Sequence, residues 1–193
     1  MAEAPQHDLT ARARIRNAAL ALFARHGVEG TSMRRVAADA GVTVGLVVHH
    51  FGTKEQLRKE VETYVVNRFT ETVSSVPVQG SARDVAQGRD DAVASMLSVE
   101  PDLVTYLRRA VLGLSEPDSD LLRRLTELAA GEVARARAVG VADTDQLDSI
   151  QTIRTMTRQL GQLLLQPMID SMWQQLGGDD QDPNKPVLVV RVE

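Results

Sequence analysis

The segment 31–57 constrains the fold more than any other part of the chain. It contains two short stretches with apolar residues at helical spacing, and Gly41 separates them. Ser32 and Thr43 precede the two stretches and are residue types that cap the N-termini of helices. A glycine between two helices supplies the left-handed backbone conformation that a sharp turn needs. The segment therefore predicts a helix-turn-helix, the motif that places its second helix in the major groove of DNA.

This segment and the helix that precedes it resemble the DNA-binding domain of TetR-type transcriptional repressors. The matching residues lie within 10–57, about a quarter of the chain, in the order and spacing of that family. They are Arg12–Phe23, Gly27, Thr31, Ser32, Arg34–Ala37, Ala40–Val42, Gly45, His50, Phe51 and Lys54–Leu57. The chain departs from the family at Val48, where tyrosine is usual, and at Val44, where a polar or basic residue is common.

The rest of the chain also predicts helices, and the expected fold is all-α. Apolar residues recur at helical spacing as far as residue 176, including a long helix over 144–166 that Asp143 caps and Pro167 interrupts. We expect a three-helix DNA-binding domain followed by a helical regulatory and dimerisation domain. The expected boundaries are an N-terminal tail at 1–9, the DNA-binding domain at 10–57 with its motif at 31–50, the regulatory domain at 58–176, and an extended or disordered tail at 177–193.

Charge is distributed unevenly along the chain, which has a net charge of −4. Residues 9–58 hold eight Lys/Arg against three Asp/Glu, whereas residues 59–193 hold fourteen against twenty-one. The basic segment coincides with the helix-turn-helix, as expected for a module that faces phosphates. Three of its cations, Arg12, Arg14 and Arg16, either reach DNA phosphates or the adjacent minor groove, or face solvent.

Several classes of protein are disfavoured by what the 193 residues lack. The chain has no cysteine, which excludes disulfides and thiolate metal sites, and no apolar run approaches the ~18–20 residues of a membrane span. Its first residues are acidic and polar, unlike a signal peptide. Sequence motifs for phosphate loops, metalloproteases, serine hydrolases and dinucleotide binding are missing. We therefore expect a cytoplasmic protein that is not an enzyme and holds no cofactor or metal.

The candidate DNA contacts lie on the second helix of the motif and at the starts of its neighbours. Thr43 and His49 can hydrogen-bond to bases or phosphates, whereas Val44 and Leu46 offer apolar contact, for example with a thymine methyl group. Lys54 lies in the first turn of a helix, where the helix dipole disfavours a cation unless a phosphate is near. The candidates are Ser32, Arg34, Arg35, Thr43, Val44, Gly45, Leu46, Val48, His49 and Lys54.

The last long helix carries a stripe of neutral polar residues where an exposed face would usually carry Glu and Lys. The stripe consists of Thr152, Thr155, Gln159, Gln162 and Gln166. Such groups suit a half-buried surface, which either lines a ligand cavity or faces a partner helix. The candidate ligand-binding residues are Met96, Leu97, Tyr106, Met156, Gln159, Gln162, Leu163 and Trp173. The candidate dimer contacts, which also suit an intramolecular core, are Ile150, Ile153, Leu160, Leu164, Met168 and Met172.

The resemblance implies a homodimer with two DNA-binding heads and a body that holds a small-molecule pocket. The expected function is repression of transcription from a double-stranded DNA operator, relieved by a small-molecule effector. One alternative is a repressor or activator that a protein partner switches without a small ligand. Another is an all-α adaptor that has lost DNA binding, for which Val44 and Val48 are the support.

Overall fold

The computed structural model describes residues 6–112, 120–142 and 144–190. Within these ranges the chain forms eight α-helices and no β-strand, which confirms the all-α prediction. The helices are α1 (Gln6–His26), α2 (Met33–Asp39), α3 (Val44–Phe51), α4 (Lys54–Ser74), α5 (Ala82–Ser98), α6 (Pro101–Val111), α7 (Leu121–Ala138) and α8 (Asp148–Gln175).

Two helix boundaries differ from those that the sequence predicts. Residues 6–9, expected in an N-terminal tail, belong to α1, while residues 1–5 lie outside the described part. The long helix begins at Asp148 rather than near residue 144, and Asp143, its expected cap, is also outside the described part. Pro167, expected to interrupt the long helix, lies inside α8, which is assigned as one helix from Asp148 to Gln175.

The chain divides into two compact units, with boundaries after Ser74, Ala92 and Leu122. The N-terminal unit contains α1 to α4, the last part of α5 and all of α6. The C-terminal unit contains the first part of α5, nearly all of α7, and α8. The predicted end of the DNA-binding domain, at residue 57, falls within α4 and therefore inside the N-terminal unit. The compact unit is not defined by DNA binding, so the predicted boundary of the DNA-binding domain stays a prediction.

The core of the N-terminal unit forms between α1, α4 and α6. Ile15, Ala19 and Phe23 recur every four residues on α1 and are all buried. Leu103 and Leu107 of α6 have the same spacing and are buried as well. Burial of each large apolar side chain contributes ~1.5–3 kcal/mol. This core forms the platform on which the helix-turn-helix sits.

Candidate nucleic-acid interface

The turn between α2 and α3 is held by local hydrogen bonds. Gly41 adopts a left-handed conformation, with φ of 65°, and the next residue, Val42, donates its N–H to the Ala37 carbonyl at 2.9 Å. This bond closes α2 and directs the chain into α3. Thr43 caps α3, since its side chain accepts a hydrogen bond from the Leu46 N–H at 3.2 Å. The predicted turn glycine and caps are thus present, and they fix the direction of α3.

α3 has one buried face and one exposed face. Val47 and Phe51, four residues apart, are buried and attach α3 to the unit. Val44 and Val48 have the same spacing on the other side, where they are 37% and 48% exposed. Most of the candidate contacts on this helix share the exposed face, and only Leu46 is half-buried. The exposed candidates of α3 and its cap are Thr43, Val44, Gly45, Val48 and His49.

The candidates at the start of α2 are also exposed. Ser32 caps the helix by accepting a hydrogen bond from the Arg35 N–H at 3.2 Å, and the neighbouring Arg34 is exposed. The Arg35 guanidinium donates to Nε2 of His26, at the end of α1, at 2.9 Å. This contact requires that Nε2 carry no proton. His26 therefore orients Arg35, a role that sequence reasoning missed because the two residues meet only after the chain folds.

Lys54 has partners within the chain. Its Nζ donates to the Val28 carbonyl at 3.0 Å and lies 3.7 Å from a Glu29 carboxylate oxygen. These contacts join the start of α4 to the loop between α1 and α2. These two partners also account for a lysine in the first turn of α4, so no bound phosphate is needed to explain it. Lys54 therefore has a structural role, and its contact with a DNA phosphate stays a prediction.

The arginines of α1 differ in their surroundings. Arg12 forms an ion pair with Glu60 of α4 at 2.9 Å, and the Arg16 guanidinium lies 4.0 Å from the ring centroid of Tyr64. Both therefore help to hold α1 against α4. Arg14 is exposed and, of the three, is the one best placed to meet an external anion.

Arg58 and Glu62 of α4 are buried charged residues, and Glu55, which is exposed, contacts the same arginine. On α4, the Arg58 guanidinium contacts Glu55 and lies 2.5 Å from Glu62, which accepts a hydrogen bond from the Tyr106 hydroxyl of α6 at 3.3 Å. The hydrogen bond with Glu55 and the nearby carboxylates raise the pKa of Arg58, and the same bond lowers the pKa of Glu55. Burial, reinforced by Glu62, raises the pKa of Tyr106 well above its usual range. The spacing of Glu55, Arg58 and Glu62 is the sequence signal for this cluster.

The candidate ligand-binding residues belong to both units. Met96, Leu97 and Tyr106 lie in the N-terminal unit, where Met96 and Tyr106 are buried. The remaining five are half-buried on α8, in the C-terminal unit: Met156, Gln159, Gln162, Leu163 and Trp173.

Partners within the C-terminal unit account for several residues of the neutral stripe. Thr152 is buried and donates to the Asp148 carbonyl of its own helix at 2.8 Å. Gln159 donates to Asp90 of α5 at 3.3 Å. Gln162 is half-buried and stays the stronger candidate for contact with a ligand.

The apolar face of α8 is largely uncovered. Among the candidate dimer contacts, Ile150, Ile153, Met168 and Met172 are exposed, whereas Leu160 and Leu164 are half-buried. Exposed apolar residues repeated along one helix are typical of a surface that another protein chain covers. None of the helices in the described ranges combines the length and the apolar character that a membrane span requires.

Comparison with known proteins relates this geometry to one family. Residues 15–61, which include α2 and α3, match the family model described as bacterial regulatory proteins, tetR family. The transcriptional regulatory protein RaaS of Mycobacterium tuberculosis is 55% identical over 62 residues, 32% of this chain and 29% of RaaS. The repressor AcnR of Corynebacterium efficiens is 38% identical over 66 residues, 34% of this chain and 35% of AcnR.

The structural similarity extends further than the sequence similarity. A TetR-family regulator from Streptomyces coelicolor A3 superposes with a TM-score of 0.53 at 28% identity, covering 85% of this chain and 83% of that one. The sequence matches to the two curated regulators, by contrast, span only about a third of their lengths.

Proposed function

Because the chain belongs to the tetR family of bacterial regulatory proteins, we propose that it is a sequence-specific, DNA-binding transcriptional regulator. More specifically, it is a homodimeric repressor that a small molecule releases from its operator. The observation that carries the proposal is the division of α3 into a buried face at Val47 and Phe51 and an exposed face at Val44 and Val48. A helix held in this way can enter a major groove without losing its packing.

The proposed contacts fall into two groups with different consequences. Arg34 and Arg35 at the start of α2 neutralise phosphates and position the head, whatever the sequence. His49 and Thr43 on α3 hydrogen-bond to base edges. Val48 and its neighbour Val44 make apolar contacts, for which the thymine methyl group is the matching feature of the major groove.

Fluorescence anisotropy with the DNA upstream of the gene tests both groups. Arg34→Ala should weaken binding to every duplex and reduce the salt dependence by about one phosphate contact per head between ~50 and 200 mM salt. The matched control is Arg25→Ala, an exposed arginine of the same unit that pairs with Asp102 at 3.7 Å. It should leave the slope unchanged.

His49→Ala should change the preferred sequence, with a cost of ~1–3 kcal/mol at one base pair. Equal binding of all duplexes by the unaltered chain would contradict sequence-specific recognition. No binding at any salt concentration would instead favour an adaptor without DNA-binding activity.

Dimerisation through α8 follows from its exposed apolar face and from the small number of base pairs that one helix reads. Two heads would then contact half-sites ~34–36 Å apart, or a multiple of that distance. Met168→Glu should produce monomers in sedimentation velocity, because it places a charge in the interface. Leu122→Glu, at another exposed apolar residue, should leave a dimer. A monomeric unaltered chain at micromolar concentration would contradict the assembly.

Release by a small molecule is tested on the same DNA complex with a library of small organic compounds. Gln162→Leu should abolish the response to an active compound while leaving operator affinity near that of the unaltered chain. Gln159→Leu should also lower the stability of the unit, since the Gln159 amide bonds to Asp90. Release by a protein partner, and by none of the compounds, would contradict this part of the proposal.

A further inference from the structure

The Arg35 guanidinium joins α2 to α1 through an uncharged partner. It donates from Nη2 to Nε2 of His26, the last residue of α1, at 2.9 Å. An imidazole nitrogen accepts a hydrogen bond only when it carries no proton, so this ring is neutral and its proton lies on Nδ1. Both residues are exposed, which places the contact on the surface of the N-terminal unit.

Two other arginines that join helices in this unit have carboxylate partners. Arg12 of α1 pairs with Glu60 of α4 at 2.9 Å. Arg25, next to His26 on α1, pairs with Asp102 of α6 at 3.7 Å. A carboxylate fixes the direction of a guanidinium and also offsets its charge. A neutral imidazole fixes the direction and leaves the positive charge available to an external anion.

The acidic residue nearest to Arg35 in this part of the chain has a different partner. Glu29 is the only Asp or Glu between positions 25 and 38, and it lies 3.7 Å from the Lys54 ammonium. Within the described part of the chain, no carboxylate forms an ion pair with Arg35. Arg34 beside it is exposed and adds a second positive charge. This part of the surface therefore keeps an uncompensated positive charge.

The contact with His26 leaves most of the guanidinium able to bind a phosphate. An arginine has five N–H donors, and His26 occupies one on Nη2, so the donors on Nε and Nη1 stay available to anionic oxygens. A long side chain that is ordered only on binding lowers the affinity by its lost rotamer freedom. His26 restricts Arg35 before any ligand arrives, so less ordering remains to be done.

We propose that His26 is a positioning residue of the DNA interface, whose neutral ring holds Arg35 for a backbone phosphate without reducing the charge of the guanidinium. This inference rests on the proposed DNA-binding function and on Arg35 as a phosphate contact. Because His26 acts through a phosphate contact, its effect is on the affinity for every duplex and not on base preference.

Three substitutions of His26 separate orientation from charge, measured by fluorescence anisotropy between ~50 and 200 mM salt. His26→Leu removes the acceptor, so affinity should fall ~2- to 12-fold for each head engaged, with an unchanged salt slope because Arg35 still neutralises its phosphate. His26→Gln supplies an uncharged oxygen in place of Nε2 and should restore most of the affinity. His26→Glu also orients Arg35 but offsets its charge, so the slope should fall by about one phosphate contact per head.

A double-substitution cycle tests whether His26 acts through Arg35. In an Arg35→Ala background, His26→Leu should cause no further loss of affinity, because the side chain that it positions is absent. The loss caused by His26→Leu alone should be equal on the duplex from upstream of the gene and on an unrelated duplex of the same length. Arg25→Leu places the same new side chain one residue earlier on α1 and is the matched control, with an unchanged affinity and slope.

The outcomes separate this inference from the proposed function. The positioning role is overturned if His26→Leu binds DNA like the unaltered chain, if His26→Gln loses as much affinity as His26→Leu, or if His26→Leu weakens binding equally with and without Arg35. In each of these cases the unaltered chain still binds DNA, and the proposed regulator stands. If the unaltered chain binds neither duplex at any salt concentration, the proposed function fails and the positioning role fails with it.

Discussion

Arg58 and Glu62 of α4 form an ion pair whose burial can be tested against a matched pair on the surface. Their charged atoms are 2.5 Å apart, and their side chains are 2% and 1% exposed. On α7, Arg123 and Glu127 have the same spacing of four residues and the same 2.5 Å separation, but they are 59% and 61% exposed. The buried Arg58 also contacts Glu55, and Glu62 also accepts a hydrogen bond from Tyr106, so we predict that Arg58→Met destabilises the protein far more than Arg123→Met.

The magnitude follows from the charge that each substitution leaves behind. Arg58→Met leaves the Glu62 carboxylate buried without its cation, and loss of one partner of a buried pair costs ~3–5 kcal/mol. Arg123→Met leaves Glu127 in water, where such a pair contributes ~0–1 kcal/mol. For a chain of this size 1 kcal/mol corresponds to ~2–4 °C. The Tm should therefore fall by about 6–20 °C for Arg58→Met and by no more than about 4 °C for Arg123→Met.

Thermal and urea unfolding, followed by far-ultraviolet circular dichroism, measures both effects. The double substitution Arg58→Met with Glu62→Leu removes both charges, and replacement of a buried ion pair by apolar residues is often close to neutral. It should therefore recover most of the stability that Arg58→Met loses. Equal losses in Arg58→Met and Arg123→Met would refute the reasoning, as would a double variant less stable than Arg58→Met alone.

Three further predictions concern single residues. Tyr64 and Tyr106 both have pKa values raised above 10.0, chiefly by burial, so the phenolate absorbance of the folded protein should not appear near pH 10. The neutral side chains of the two tyrosines stabilise the folded state, and this stabilisation is complete below pH 10. It is lost as the pH rises towards their pKa values in the folded protein, so alkaline titration should show tyrosine ionisation and unfolding together. Ser32→Ala should lower the free energy of unfolding by ~1 kcal/mol, measured by urea denaturation, because it removes the cap of α2. Gly131→Ala, inside α7 with open space around it, should stabilise the protein by up to ~1 kcal/mol, whereas Gly140→Ala, at φ of 72°, should destabilise it by ~1–2 kcal/mol in the same assay.

The helix-turn-helix was predictable from the sequence because each of its determinants acts over a few residues. Ser32 and Thr43 bond to the N–H groups three residues ahead, and Gly41 supplies the turn conformation by itself. Val47 and Phe51, at helical spacing on α3, are both buried. A local signal of this kind does not depend on the rest of the fold.

The surroundings of the charged side chains were not predictable in this way. Arg58 and Glu62 are four residues apart, and the exposed pair Arg123 and Glu127 has the same spacing. Tyr106, which completes their site, is 44 residues from Glu62 in the chain. Lys54 shows the same limit, since its partner is the Val28 carbonyl, 26 residues away. Only the packing of the helices decides which charges are buried and what they contact.

The neutral stripe on α8 shows why a periodic pattern identifies a face but not its occupant. The absence of Glu and Lys predicted a half-buried surface, and Gln159, Gln162 and Gln166 are half-buried. An amide, however, satisfies a carboxylate, a backbone segment or a ligand with the same donor and acceptor groups. In this structure Gln159 bonds to Asp90 of α5, and Gln166 bonds to the Pro186 carbonyl and the Leu188 N–H. With Thr152, which bonds to the Asp148 carbonyl, three of the five stripe residues therefore have partners within the chain, and Gln162 is the polar residue on which the cavity hypothesis now depends.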